Sequence, residues 1–95
     1  MDKIEIENVI QPGKTYRVNA DKFIAVRDAV LAVLPTQPPG MTVAEAKSAA
    51  LPRLPETLFP GGEKAGWWIK AVQLDQEAKG VVARAPGCPV RLYRC

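Results

Sequence analysis

The sequence predicts an α+β domain: an N-terminal β-hairpin, three helices at about 21–34, 42–51 and 63–79, and a two-stranded C-terminal hairpin at about 81–94. Three observations carry this prediction. Apolar and polar residues alternate near the start of the chain. A capping box opens at Thr42. The run EKAGWWIKAVQLDQEAKG, helical with a glycine stop, feeds directly into VVARAPGCPVRLYR, which reads as a hairpin.

Each element has its own warrant. Ile4 and Ile6 alternate with Glu5 and Glu7, and Tyr16 and Val18 with Thr15 and Arg17, the period of strands with one buried face. Pro12-Gly13 supplies the turn between them, because proline presets one φ and glycine accepts a positive one. The first helix is expected to open at Asn19 or Asp21, to bury Phe23, Val26, Val30, Leu31 and Leu34, and to end at Pro35. In the second, the Thr42 hydroxyl and the Glu45 carboxylate are spaced to cap one another's backbone N–H groups. Pro52 and Pro55 end that helix, and Leu54, Leu58 and Phe59 of the following linker are expected on the core.

At about 100° per residue, the third helix is expected to bury Trp67, Ala71, Leu74 and Ala78, with Trp68 and Val72 widening the stripe. Gly66, Lys70, Gln73 and Glu77 fall on the opposite face, flanked by Ile69 and Gln76. Trp68 is then a boundary residue, placed to pack on LPETLFP or on a second subunit, or to stack on a base. Asp75 precedes Lys79 by four residues in the favourable ion-pair order, and Gly80 stands where a left-handed cap ends a helix. Gly61-Gly62 reads as a turn at the helix start, where exposed N–H groups can meet an anion; the spacing of a P-loop is missing.

The order of hairpin, three helices and terminal hairpin resembles the winged-helix superfamily over roughly residues 20–94. The stretch LFPGGEKAGWWIKAVQLDQEAKGVVAR also resembles a small bacterial family, a domain of unknown function. The superfamily resemblance implies a recognition helix at 63–79 and a wing at 81–94, and so a non-catalytic double-stranded DNA-binding protein. The alternative is a protein-interaction or homodimerisation module of the same fold without DNA binding.

Charge is consistent with either. The formal net charge is +3, with seven basic against seven acidic residues in 1–60 and six against three in 61–95. The DNA reading assigns Lys70, Gln73 and Gln76 to base edges. It assigns Lys64, Lys79, Arg84, Arg91 and Arg94 to phosphates. A solvated helix face and solubilising surface arginines account for the same residues. The interaction reading assigns the interface to Ile4, Ile6 and Trp68.

Catalysis is not expected. The chain has no histidine, which removes the common activated-nucleophile systems, and its only serine is Ser48. Cys88 and Cys95 match no zinc spacing. Neither cofactor, metal nor small-molecule substrate is expected. With no secretory leader pattern and no long apolar run, a cytoplasmic protein with reduced thiols and no membrane contact is expected.

Overall fold

The expected N-terminal hairpin forms in a computed structural model that describes residues 2–95. Strand β1 (Lys3–Glu7) pairs antiparallel with β2 (Thr15–Asn19), Ile4 opposite Val18 and Ile6 opposite Tyr16. The Lys14 N–H donates to the Gln11 carbonyl at 3.1 Å, and Gly13 takes φ 87°. Pro12-Gly13 therefore holds the two central positions of the turn, as the dipeptide demands.

Helix α1 (Ala20–Val33) is capped by Asn19, whose side chain accepts from the Lys22 N–H at 3.0 Å. Of its predicted stripe, Phe23, Val26, Val30 and Leu34 are buried and Leu31 is half-buried, with Ala29 joining the core. Helix α2 (Val43–Ala50) carries the predicted capping box. The Glu45 N–H donates to Thr42 Oγ1 at 3.1 Å, and the Thr42 N–H donates to Glu45 Oε1 at 2.9 Å. Hydrogen bonds from Thr42, with Arg91 nearby, hold the Glu45 carboxyl below the usual carboxylate range.

Single 3-10 turns at Leu51–Arg53 and Pro60–Gly62 bracket the proline-rich linker, which buries Phe59 and half-buries Leu54 and Leu58. Helix α3 (Ala65–Ala78) then starts two residues later than predicted, because Lys64 adopts a left-handed conformation at φ 61°. It ends in a Schellman cap. The Gly80 N–H donates to the Glu77 carbonyl at 3.1 Å, and the Val81 N–H to the Gln76 carbonyl at 2.9 Å.

The C-terminal hairpin, β4 (Val82–Arg84) and β5 (Arg91–Arg94), lies in a three-stranded antiparallel sheet. Its third strand is β3 (Met41–Thr42), which pairs with β5 on the side away from β4. Two residues leave no periodicity to read, so the sequence did not announce β3. Its approach depends on Gly40, at φ 83°. A Cβ there would sit 1.9 Å from the Leu92 carbonyl oxygen, a position no side chain can share.

The core lies between α1, α2, α3 and this sheet, and Ile6 enters it from the hairpin. No helix among the described residues is long and apolar enough to cross a membrane.

A candidate docking cleft between the hairpin and the third helix

The orientation of α3 departs from the predicted one. Trp68 is 8% exposed and packs edge-to-face with Phe59 at 6.3 Å, whereas Trp67 is 59% exposed. The expected roles of the two tryptophans are therefore exchanged. Trp68 belongs to the core and not to an interface. The cause is that α3 is covered from more than one side, by α1, by β1 and by β4. Periodicity locates one packed face, and a helix with several cannot be oriented by it.

Three polar residues are buried as a result. Asp75, fully buried, accepts from the Glu7 N–H at 2.8 Å, from Gln76 Nε2 at 2.9 Å and from Lys79 Nζ at 3.0 Å. Its link to Glu7 fastens β1 onto α3, beside a second fastening from the Val9 N–H to the Leu74 carbonyl at 3.2 Å. Gln73 donates to Glu77 Oε2 at 3.0 Å. Gln73 and Gln76, predicted to face outward, are thus turned into the fold.

The basic residues divide into two groups. Lys79 is held by Asp75, Arg84 grips Glu77 through two guanidinium nitrogens, and Arg91 lies 3.8 Å from Glu45. Glu77 also holds the Arg84 guanidinium above its ordinary pKa. Lys64, Lys70 and Arg94 are exposed and enter no ion pair among the described residues. Of the residues assigned to an interface, Ile6 is buried and Ile4 half-buried, because the apolar face of the hairpin packs inward. The hairpin forms one wall of a cleft.

That cleft, about 400 Å³ in volume, separates β2 from α3. Ile6, Val18, Ala71 and Leu74 supply its apolar lining, and Tyr16 and Trp67 its aromatic residues. Tyr16 shares the inward face of the hairpin with Ile6, yet it is 42% exposed. Gln11 accepts the Tyr16 hydroxyl proton. Arg17 and Lys70 also border the cleft, with Glu7 the one acidic residue along it. The signal available in the sequence was Tyr16 on an otherwise apolar strand face; Trp67 was hidden by the misjudged rotation of α3.

A family model matches residues 3–92, nearly the whole chain. The chain belongs to DUF6958, a family of unknown function. A comparison with curated proteins found no match, and a comparison with solved structures found none. In this DUF6958 member, Cys88 and Cys95 are free and exposed, and no group of three or more His, Cys, Asp or Glu side chains among the described residues is placed to hold a metal ion. Its cleft brings the exposed aromatic side chains of Tyr16 and Trp67 together with Arg17 and Lys70, neither of which enters an ion pair among the described residues.

Proposed function

We propose that this DUF6958 member is a non-catalytic protein-interaction module that seats a partner protein in the cleft between β2 and α3. The observation that carries the reading is Trp67, 59% exposed on a helix otherwise deeply packed, sharing a 400 Å³ apolar cleft with Tyr16. Large apolar side chains left in water cost roughly 25 cal/mol per Å² of apolar surface, a cost that a docked partner recovers. Trp, Tyr and Arg are also the residue types that dominate binding energy at interfaces. DNA recognition by α3 has less support from the fold. The amides of Gln73 and Gln76 are buried, and Lys79, Arg84 and Arg91 are engaged by carboxylates.

The test begins with a photo-reactive phenylalanine analogue in place of Tyr16, used in the source cells to trap and identify the partner. The purified partner is then titrated against the unmodified protein and Trp67→Ala. Binding should weaken at least about tenfold in the variant, the scale of an interface hot spot. Failure of every trapped protein to depend on Trp67 overturns the reading. So does saturable binding to mixed-sequence duplex DNA at about 50 mM salt that Trp67→Ala leaves unchanged, because phosphate contacts are strongest at low salt.

A further inference from the structure

We propose that the partner enters this cleft as an added β-strand: an extended, acidic segment that pairs with the free edge of β2 and places alternate apolar side chains beside Trp67. The proposal rests on the docking reading above and specifies its chemistry.

The hydrogen-bond ladder defines the edge. The Glu7 N–H leaves the hairpin for Asp75, and the Ala20 N–H donates to the Asp2 carbonyl at 3.0 Å. Antiparallel pairs alternate between bonded and non-bonded positions. Ile4–Val18 and Ile6–Tyr16 are therefore the bonded pairs, and the N–H and C=O groups of Thr15 and Arg17 point away from β1. β1 is the only strand bonded to β2, and no other backbone group among the described residues pairs with Thr15 or Arg17. The edge of β1, by contrast, is closed onto α3 through Glu7. An unpaired strand edge is a template for another strand, and its backbone bonds supply affinity while pockets for alternate side chains supply specificity.

The cleft lies where those side chains would fall. Tyr16 and Val18 share one face of β2, and both border the cleft opposite Trp67, Lys70 and Ala71. A strand added beside β2 continues that face, so every second side chain projects over the cleft. The five residues of β2 match a partner segment of about five to seven residues.

Charge selects the segment. Arg17, at the middle of the edge, projects to the face of β2 away from Tyr16 and Val18, with Glu5 opposite it in β1; neither it nor Lys70, on the far wall of the cleft, enters an ion pair among the described residues. Lys14 extends the positive character towards the turn. A strand whose acidic residues alternate with its apolar ones sets them on the Arg17 face, while its apolar residues lie over the cleft within the field of Lys70. A second copy of the chain complements this edge less well, because it brings a second Arg17 to it and adds positive charge instead of offsetting it.

The probe is a capped heptapeptide, Glu-Val-Asp-Phe-Asp-Val-Glu, titrated into the full chain and followed by amide NMR. Thr15 and Arg17 amides should exchange with solvent at least about tenfold more slowly in the complex, and the Trp67 indole resonance should shift. N-methylation of the alternate amides that face β2 should abolish binding, whereas methylation of the other set should not. Replacing the acidic residues with lysine should weaken binding at least about tenfold. Equal binding by both N-methylated peptides, with the Trp67 shift retained, overturns the added strand while leaving cleft docking intact. Absence of protection at Thr15 and Arg17 overturns it as well. Protection that rises with protein concentration and no peptide identifies a second copy as the occupant and overturns the acidic partner.

Discussion

Trp67 and Trp68 are adjacent in the chain and opposite in environment, so they separate stability from recognition at the scale of single residues. Trp68, 8% exposed, fills the space between α3 and Phe59. Its truncation leaves a cavity in the core, and Trp68→Ala should cost about 3–5 kcal/mol in chemical denaturation. Trp67 touches the body of the fold along one edge, with its ring 5.1 Å from that of Trp68. Trp67→Ala should therefore cost under about 1 kcal/mol. A loss comparable to that of Trp68→Ala would show that Trp67 is a core residue after all, and would remove the basis for reading its exposure as a docking feature. Near-neutrality also makes Trp67→Ala a clean variant for binding measurements, since the fold stays intact.

At the scale of elements, the hairpin is positioned by side chains that sequence patterning treats as solvated. The alternation in 4–18, the Asn19 cap, the Thr42–Glu45 box and the Gly80 stop were legible because each is written within a few residues. The docking of β1 on α3 was not, because it depends on Asp75 meeting the Glu7 N–H sixty-eight positions away. An acidic residue four before a lysine predicts an exposed ion pair; nothing local distinguishes that from a buried carboxylate that also accepts a distant backbone amide. The rotation of α3 was misjudged for the same reason. Gln73, Asp75 and Gln76 look like a wet face until the hairpin and β4 cover them. Asp75 is therefore expected to behave as a latch. Asp75→Ala strands the Glu7 N–H and releases Lys79, and should destabilise the fold by about 3 kcal/mol, the range for removing one partner of a buried charged network. Asp75→Asn keeps an acceptor for Glu7 and should cost less. Hydrogen exchange gives the decisive reading: amide protection at Glu7 and Val9 should fall more than protection in α1. A uniform loss across the chain would mean that Asp75 supports the whole core and not the seating of the hairpin.

Across the whole molecule, the basic residues fall into two populations with opposite expected consequences. Lys79 is drawn onto Asp75 within the end of α3, while Arg84 on Glu77 ties β4 to α3 and Arg91 near Glu45 ties β5 to α2. Arg17 and Lys70 stay unpaired at the cleft. Net charge alone, +3 over the chain, could not reveal this division, because it counts a cation held by a carboxylate the same as one facing solvent. Arg84→Gln removes the guanidinium from Glu77, whose side chain is 7% exposed. With Arg84 itself partly solvated, the loss should be about 1–2 kcal/mol of stability, with peptide binding at the β2 edge unchanged. The double substitution Arg17→Gln and Lys70→Gln should do the reverse. Its denaturation midpoint should stay close to that of the parent, because neither cation enters an ion pair and the cross-strand neighbour Glu5 of Arg17 is solvated, while affinity for the acidic heptapeptide should fall and become less sensitive to salt. Both variants losing binding equally would assign the positive field of the whole surface, and not the cleft, to recognition. A salt dependence undiminished by the double substitution would lead to the same conclusion, because the only cations removed are the two that border the cleft.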